Sequence, residues 1–302
     1  MSTAVAEPER AAPPRRPGRR GRFTSKVLPV YTGLVLLYLM LPIFVMILFG
    51  FNATKGRFNF TWQGFTLEWY RDLLAVPDLT DALFNSLGIA VVATLLSTIL
   101  GTMIALALGR HKFRGEGGVN LVLFMSIASP EVALGAALLA LFVTVGVERG
   151  LGTIVIAHVM FCIAFVTITV RARLAGFDNR LEEAAQDLGA RPWTAFWKVT
   201  FPLIFPGILS AALLAFALSI DDYIITSFVA GQTLTFPLWV FGASRLGIPP
   251  QVNVMGTLIF AVGAAFAVTG LLQAQRASRA AKREAADTRL ALAEEGQTAP
   301  AP

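Results

Sequence analysis

Six stretches of this chain are long enough and apolar enough to cross a lipid bilayer. They run over residues 28–50, 84–108, 119–145, 151–171, 203–228 and 253–274, each at or above the roughly 20 residues that a spanning helix needs. Inside lipid there is no water to satisfy backbone N–H and C=O groups, so runs of this length must bond internally as α-helices. The sequence therefore predicts an all-α membrane protein with six transmembrane helices. Composition agrees: 15% of the residues are charged and 55% hydrophobic, with a mean hydropathy of +0.66, against about 25% charged in soluble domains.

The connecting segments fit the same plan. A polar stretch from Asn52 to Asp81 separates the first two spans and holds a short amphipathic helix around Leu67–Leu74. The run Phe236–Leu246 is too short to span and contains Pro237 and Arg245, so it reads as interfacial. All five tryptophans (Trp62, Trp69, Trp193, Trp197, Trp239) fall outside the spans, where indole rings favour the headgroup boundary. Cys162 is the single cysteine and lies in an apolar run, so neither a disulfide framework nor a cysteine metal cluster is expected.

Charge sets the expected orientation. With six spans, both termini and the loops 109–118 and 172–202 share one face, and 20 of the 25 Lys and Arg residues fall there, Arg171 included. Positive charge collects on the cytoplasmic side, so both termini are expected in the cytoplasm. The net charge of +6 then reports topology; no interleaving of basic and aromatic residues points to nucleic acid. Arg19-Arg20 before an apolar run invites a twin-arginine reading. That run is about twice the length of a secretory core and ends without a small-residue cleavage site, which favours an uncleaved first span. The chain divides into a disordered basic tail over 1–27, a six-span domain over 28–275 and a cytoplasmic tail over 276–302.

The loop over 172–202 is polar and helix-forming although it joins two spans. Asn179 is placed to cap a helix whose third residue is Glu182, a capping-box arrangement. Gly189 follows a run of helix formers and can end it in a left-handed turn. After Arg191-Pro192 a second short helix carries Trp193, Phe196, Trp197 and Val199, before Pro202 and Pro206 open span five. The prediction is a helix–turn–helix at the cytoplasmic surface. Small Ala184 and Ala185 admit another protein's surface close to the backbone, while Glu182 and Glu183 offer it charge. The plain alternative is a solvated connector.

The spacing resembles the EAA loop of ABC importer permeases: Glu183-Ala184-Ala185, three residues, Gly189, nine residues, then Val199-Thr200-Phe201-Pro202. Val199 and Phe201 stand where that pattern has Ile and Leu, and both keep an apolar side chain. The resemblance implies an ABC type I importer permease fold. It also implies that Glu182, Glu183, Ala184, Ala185, Gly189 and Pro202 couple the spans to a separate ATP-hydrolysing subunit. No Gly-x-x-x-x-Gly-Lys-[Ser/Thr] phosphate loop occurs in the chain, so no cofactor of its own is expected and ATP is expected on the partner. The partners implied are a homologous second permease, two ATPase subunits, a periplasmic substrate-binding protein and membrane lipid.

Within that family the chain is similar to the second permease of spermidine/putrescine importers. The likeness rests on Ser129-Pro130-Glu131-Val132-Ala133-Leu134-Gly135, on Leu218-Ser219-Ile220-Asp221-Asp222-Tyr223, on Thr235-Phe236-Pro237-Leu238 and on Phe65-Thr66-Leu67-Glu68-Trp69-Tyr70. Charge offers a separate argument. Glu131, Asp221 and Asp222 are the acidic residues inside predicted spans, where ionisable groups cost a few kcal/mol unless they face a cavity or a partner. Successive helical residues point about 100° apart, so one aspartate faces a path and the other caps a neighbouring helix or meets Arg245. A polycationic amine would pair with Asp221 or Asp222, with Tyr223 offering a cation–π face.

A structural reading competes at each of these positions. The aspartates could serve interhelical hydrogen bonds, and Glu131 could satisfy backbone groups freed by Pro130. His158 reads as a packing or hydrogen-bonding residue. Glycines in the spans (Gly88, Gly101, Gly109, Gly256, Gly263, Gly270) read as close-packing positions. Other importer cargoes remain open: thiamine-like amines, ferric iron or amino-acid-like compounds. A stand-alone secondary transporter is the alternative class, although no internal repeat supports it.

Overall fold

The computed structural model describes residues 19–56, 58–176, 178, 180–270, 272 and 275. The tails over 1–18 and 276–302 and the Asn179 cap lie outside the described residues. Apart from one antiparallel bridge between Asn52 and Phe65, regular structure among the described residues is helical. Among the described residues, five helices are long and apolar enough to cross a membrane: Val27–Phe49, Pro77–Arg110, Leu151–Leu174, Pro192–Ile220 and Pro250–Gly270. The chain forms two compact units.

The first unit contains α1 (Arg19–Phe49), α2 (Glu68–Arg71) and the last span, α12 (Pro250–Gly270). The amphipathic helix expected around Leu67–Leu74 is the single turn α2. The segment before it is tied by side chains instead. Buried Asn52 donates to Asn59 Oδ1 and to the Thr61 carbonyl, both at 2.7 Å, and accepts from the Gln63 N–H. The Phe51 ring stacks between Phe65 and Tyr70.

The second unit holds α3 (Pro77–Arg110), α4 (Glu116–Ala128), α5 (Glu131–Val145), α6 (Leu151–Leu174), α7 (Arg180–Asp187), α8 (Pro192–Ala195), a π-helical turn (Phe196–Thr200), α9 (Phe201–Ile220), α10 (Ile224–Val229) and α11 (Phe236–Ala243). Helix α6 is its centre. Val166, Val170, Ile154 and Ala157 are fully buried in the apolar core that α6 shares with α3, α5, α9 and α10. Close approach of α3 requires Gly101, because a Cβ there would lie 2.8 Å from the Val166 Cβ. Gly109 packs similarly against Leu174, and in the first unit Gly256 meets Met46. At Gly88, Gly263 and Gly270 a Cβ would meet nothing within 4 Å, so the close-packing reading applies to three of the six.

Three predicted spans are corrected. The segment 119–145 is two helices, α4 and α5, bent by 109°. Pro130 has no N–H to continue the ladder and drives Ser129 out of the helical region; Ser129 is extended, with ψ 134°. The pair still carries the chain across the unit. Asn120 of α4 meets Arg171 at the C-terminal end of α6, while α5 leads through 146–150 into the start of α6. The second span begins at Pro77, inside the stretch expected to be polar. The fifth ends at Ile220 rather than 228, and its continuation is the separate helix α10.

Candidate coupling loop and acidic helix break

The helix–turn–helix expected over 172–202 is present as α7, a turn and α8. Asp178 Oδ1 accepts from the Arg180 N–H at the start of α7. Gly189 closes α7 with φ +89°, in the left-handed region that favours glycine, and its N–H donates to the Gln186 carbonyl at 2.8 Å. The chain then runs without interruption from Pro192 through a π turn into α9. Pro202 and Pro206 cannot donate to carbonyls one turn back. The π turn precedes them, with the Phe201 N–H bonded to the Phe196 carbonyl. Trp193, Phe196, Trp197, Phe201 and Phe205 form a continuous row of ring contacts along this entrance.

The two glutamates of the loop differ in placement. Glu183 and Ala184 are exposed and Ala185 is half-buried, with Leu188 91% exposed beside Gly189. Pro202 is exposed as the second residue of α9. Glu182 faces inward, contrary to the expectation that it presents its charge outward beside Glu183. Its Oε2 lies 2.6 Å from Arg110 Nη2, and the Thr200 hydroxyl donates to the same oxygen at 2.5 Å. Hydrogen bonds to charged groups contribute about 1.5–3 kcal/mol each, so these ties are strong for a helix with no buried residues. Neither Arg110 nor Thr200 is marked by sequence; Arg110 is 72 positions from Glu182.

At the other end of α9, roughly 30 Å away at 1.5 Å per residue, the chain breaks at Asp221, Asp222 and Tyr223. The aspartates sit in the break and not within a helix, so the 100° rule does not separate them. Asp222 turns inward. Its carboxylate accepts from the Ile225 and Thr226 N–H groups and from the Thr226 hydroxyl, satisfying the first turn of α10. The side chain that faces it across the break is His158 of α6, with Nε2 3.3 Å from Oδ2, and not Arg245. His158 Nδ1 is 2.7 Å from the Ser219 hydroxyl, so one imidazole joins α6 to both sides of the break. The hydrogen-bonding reading of His158 holds.

Asp221 is exposed, as is Glu131, the first residue of α5. Asp221 lies in electrostatic range of both Glu131 and Asp222. Thus the break between α4 and α5 and the break between α9 and α10 come together. The packing of α5 on α10 explains this: Gly135 lets the Phe228 ring approach to a distance at which any Cβ would collide, 2.5 Å. Half-buried Tyr223 packs its ring against Phe241 of α11, tilted, with the centroids 4.5 Å apart. Placing one acid inside a hydrogen-bonded cage leaves Asp221 and Glu131 as the charges presented outward.

Residues 97–274 match the family described as "Binding-protein-dependent transport system inner membrane component". The chain is similar to the spermidine/putrescine transport system permease protein PotC of Haemophilus influenzae, 39% identical over 78% of this chain and 91% of that protein. It is also similar to the putrescine transport system permease protein PotI of Escherichia coli strain K12, 38% identical over 83% of this chain and 90% of that protein. Among solved structures it matches a bacterial ABC transporter involved in import of the acidic polysaccharide alginate, with TM-score 0.59, 18% identity and coverage of 86% and 98% of the two chains. The MetNI methionine ABC transporter matches with TM-score 0.53 and 15% identity over 68% of this chain and 95% of that one. These two likenesses show the fold alone. With five spanning helices, a bent sixth pair and a family match over more than half its length, the chain belongs to the inner-membrane components of binding-protein-dependent transport systems.

Proposed function

We propose that this chain is a permease subunit of an ATP-driven importer that carries polyamines of the spermidine/putrescine class across the inner membrane. The observation that carries the cargo is the identity of 38–39% to permeases named for these amines, sustained over about four fifths of the chain. Charge supports it. Asp221 and Glu131 are exposed acids brought within electrostatic range at two helix breaks, an arrangement that attracts a polycation and repels an anion.

Coupling rests on the α7–α8 hairpin, which presents Glu183, Ala184 and Leu188 outward for an ATPase subunit. Closure of that subunit on ATP favours one packing of the spans over another, a rigid-body exchange between two states. The full assembly in this reading has a homologous second permease, two ATPase subunits and a periplasmic binding protein. Both termini face the cytoplasm, because 20 of the 25 basic residues fall on that side.

The test is uptake of radiolabelled putrescine and spermidine into proteoliposomes holding the complete importer. ATP-dependent uptake that unlabelled polyamines compete for, and that thiamine, ferric iron and amino acids leave unchanged, is the expected result. Uptake of one of those other solutes with no amine transport overturns the cargo assignment.

A further inference from the structure

Helix α7 is held to the rest of the second unit in an unusual way for an element that would transmit force. It has no buried residues, so apolar packing does not fasten it. Its inward contact is a polar cluster formed by three separate segments. Arg110, the last residue of α3, points both terminal guanidinium nitrogens at Glu182, with Nη2–Oε2 2.6 Å and Nη1–Oε1 3.4 Å. Nη2 also donates to the Thr200 hydroxyl at 3.1 Å, and that hydroxyl donates to Glu182 Oε2. The guanidinium lies 5.6 Å from the centre of the Phe196 ring in the π turn, within cation–π range. Thr200 is fully buried, and the two charged side chains are 25% and 16% exposed.

Each feature makes the link short and directional. A guanidinium fork fixes the angle of a carboxylate as well as its distance, which an ammonium does not. A positive charge at the end of α3 is favoured by the carbonyl dipoles there. Thr200 closes the triangle at the last residue before α9, the helix whose far end carries Asp221 and Asp222. Displacing α7 therefore pulls on α3 and α9 together.

We propose that Arg110 is the positioning residue that clamps the coupling helix to the spans, through Glu182 and Thr200, so that ATPase movement reaches α3 and α9 and is not dissipated in the loop. Glu183 stays free for the partner because its neighbour Glu182 is committed inward. The proposal rests on the coupling-loop reading above. It adds a residue outside the loop and assigns the two adjacent glutamates different work.

The experiment uses the complete importer in proteoliposomes and reads three quantities: ATPase subunit retained on purification, ATP hydrolysed, and polyamine taken up. With R110Q, the ATPase subunit is expected to co-purify at the wild-type ratio while uptake per ATP falls about tenfold. T200V, which removes only the hydroxyl, is expected to lower that ratio two- to threefold. The exchange R110E/E182R, which restores the pair in reverse, is expected to recover at least a third of the wild-type ratio. Wild-type uptake per ATP in R110Q overturns the clamp, as does an assembled exchange variant no better than R110Q. If R110Q fails to insert, T200V and the exchange decide the matter by the same ratio. E183K separates the two readings. Loss of the ATPase subunit in E183K with normal coupling in R110Q removes the clamp alone, whereas full coupling in E183K removes the docking reading beneath it.

Discussion

His158 Nε2 lies 3.3 Å from Asp222 Oδ2, with the two side chains 3% and 5% exposed. The Thr226 hydroxyl donates to Asp222 and lies 2.9 Å from the same imidazole nitrogen, and Ser219 is the partner of the other ring nitrogen. This imidazole pins the break between α9 and α10 against α6. Removing the imidazole leaves buried hydrogen-bonding groups unsatisfied, at a cost of about 1–3 kcal/mol each. His158→Ala is therefore expected to lower thermal stability well below that of an exposed control, His111→Ala, in detergent melts. A melt unchanged from wild type would show that the pair contributes nothing to holding the break.

Asp221 and Glu131 are expected to act on cargo and not on stability. Both are exposed, so Asp221→Asn and Glu131→Gln leave no buried group unpaired. Each is expected to raise the KM for spermidine about tenfold, a change of ~1.4 kcal/mol, with a smaller effect on putrescine, which carries fewer charges. Asp222→Asn behaves differently, lowering the melting temperature because it weakens the cap on α10. Kinetics and melts on the three variants check the division; unchanged KM in both exposed-site variants contradicts a role in the path.

Gly189 has φ +89°, where a side chain costs roughly 1–2 kcal/mol and Asn is tolerated better than Ala. Gly189→Ala is expected to reduce uptake per ATP, and Gly189→Asn to retain more of it. The order of the two variants is the readout. Equal losses would show that the residue's surface, not its backbone conformation, matters.

Gly101 sits where α3 meets Val166 of α6. Gly101→Val forces the helices apart, and overpacking of this kind typically costs about 1–3 kcal/mol. Lower expression and a lower melting temperature are expected, while Gly88→Val, at a position where a Cβ has nothing within 4 Å among the described residues, is expected to leave the melt of the isolated subunit unchanged.

Local patterns in the sequence carry much of this structure. The apolar runs mark the spans, because lipid leaves a helix as the sole outlet for their backbone groups. The hairpin over 180–195 follows from helix formers, Gly189 and Arg191-Pro192, all close together in the chain. The two helix breaks are harder to see. Pro130 signals one of them. At the other, Asp222 could have been recognised as a cap for a new helix starting two residues on, but the apolar residues on both sides of the aspartate pair read as one span. The ties that organise both sites are not legible at all. Arg110 meets Glu182 across 72 positions, and His158 meets Thr226 across 68. Nothing in the spacing of such pairs specifies which faces of α3, α6 and α9 will meet. That depends on packing at residues such as Gly101 and Val166.

The most direct test of the coupling account places a single reactive thiol on the hairpin. Cys162 is fully buried, while Leu188 is 91% exposed, so Leu188→Cys offers one accessible site. In membranes holding the complete importer, a short thiol-to-amine cross-linker is expected to join this residue to the ATPase subunit, and the thiol is expected to react with membrane-impermeant reagents from the cytoplasmic side only. Labelling from the periplasmic side, or a labelled residue with no cross-link to the ATPase subunit in an importer that still transports, would contradict the account.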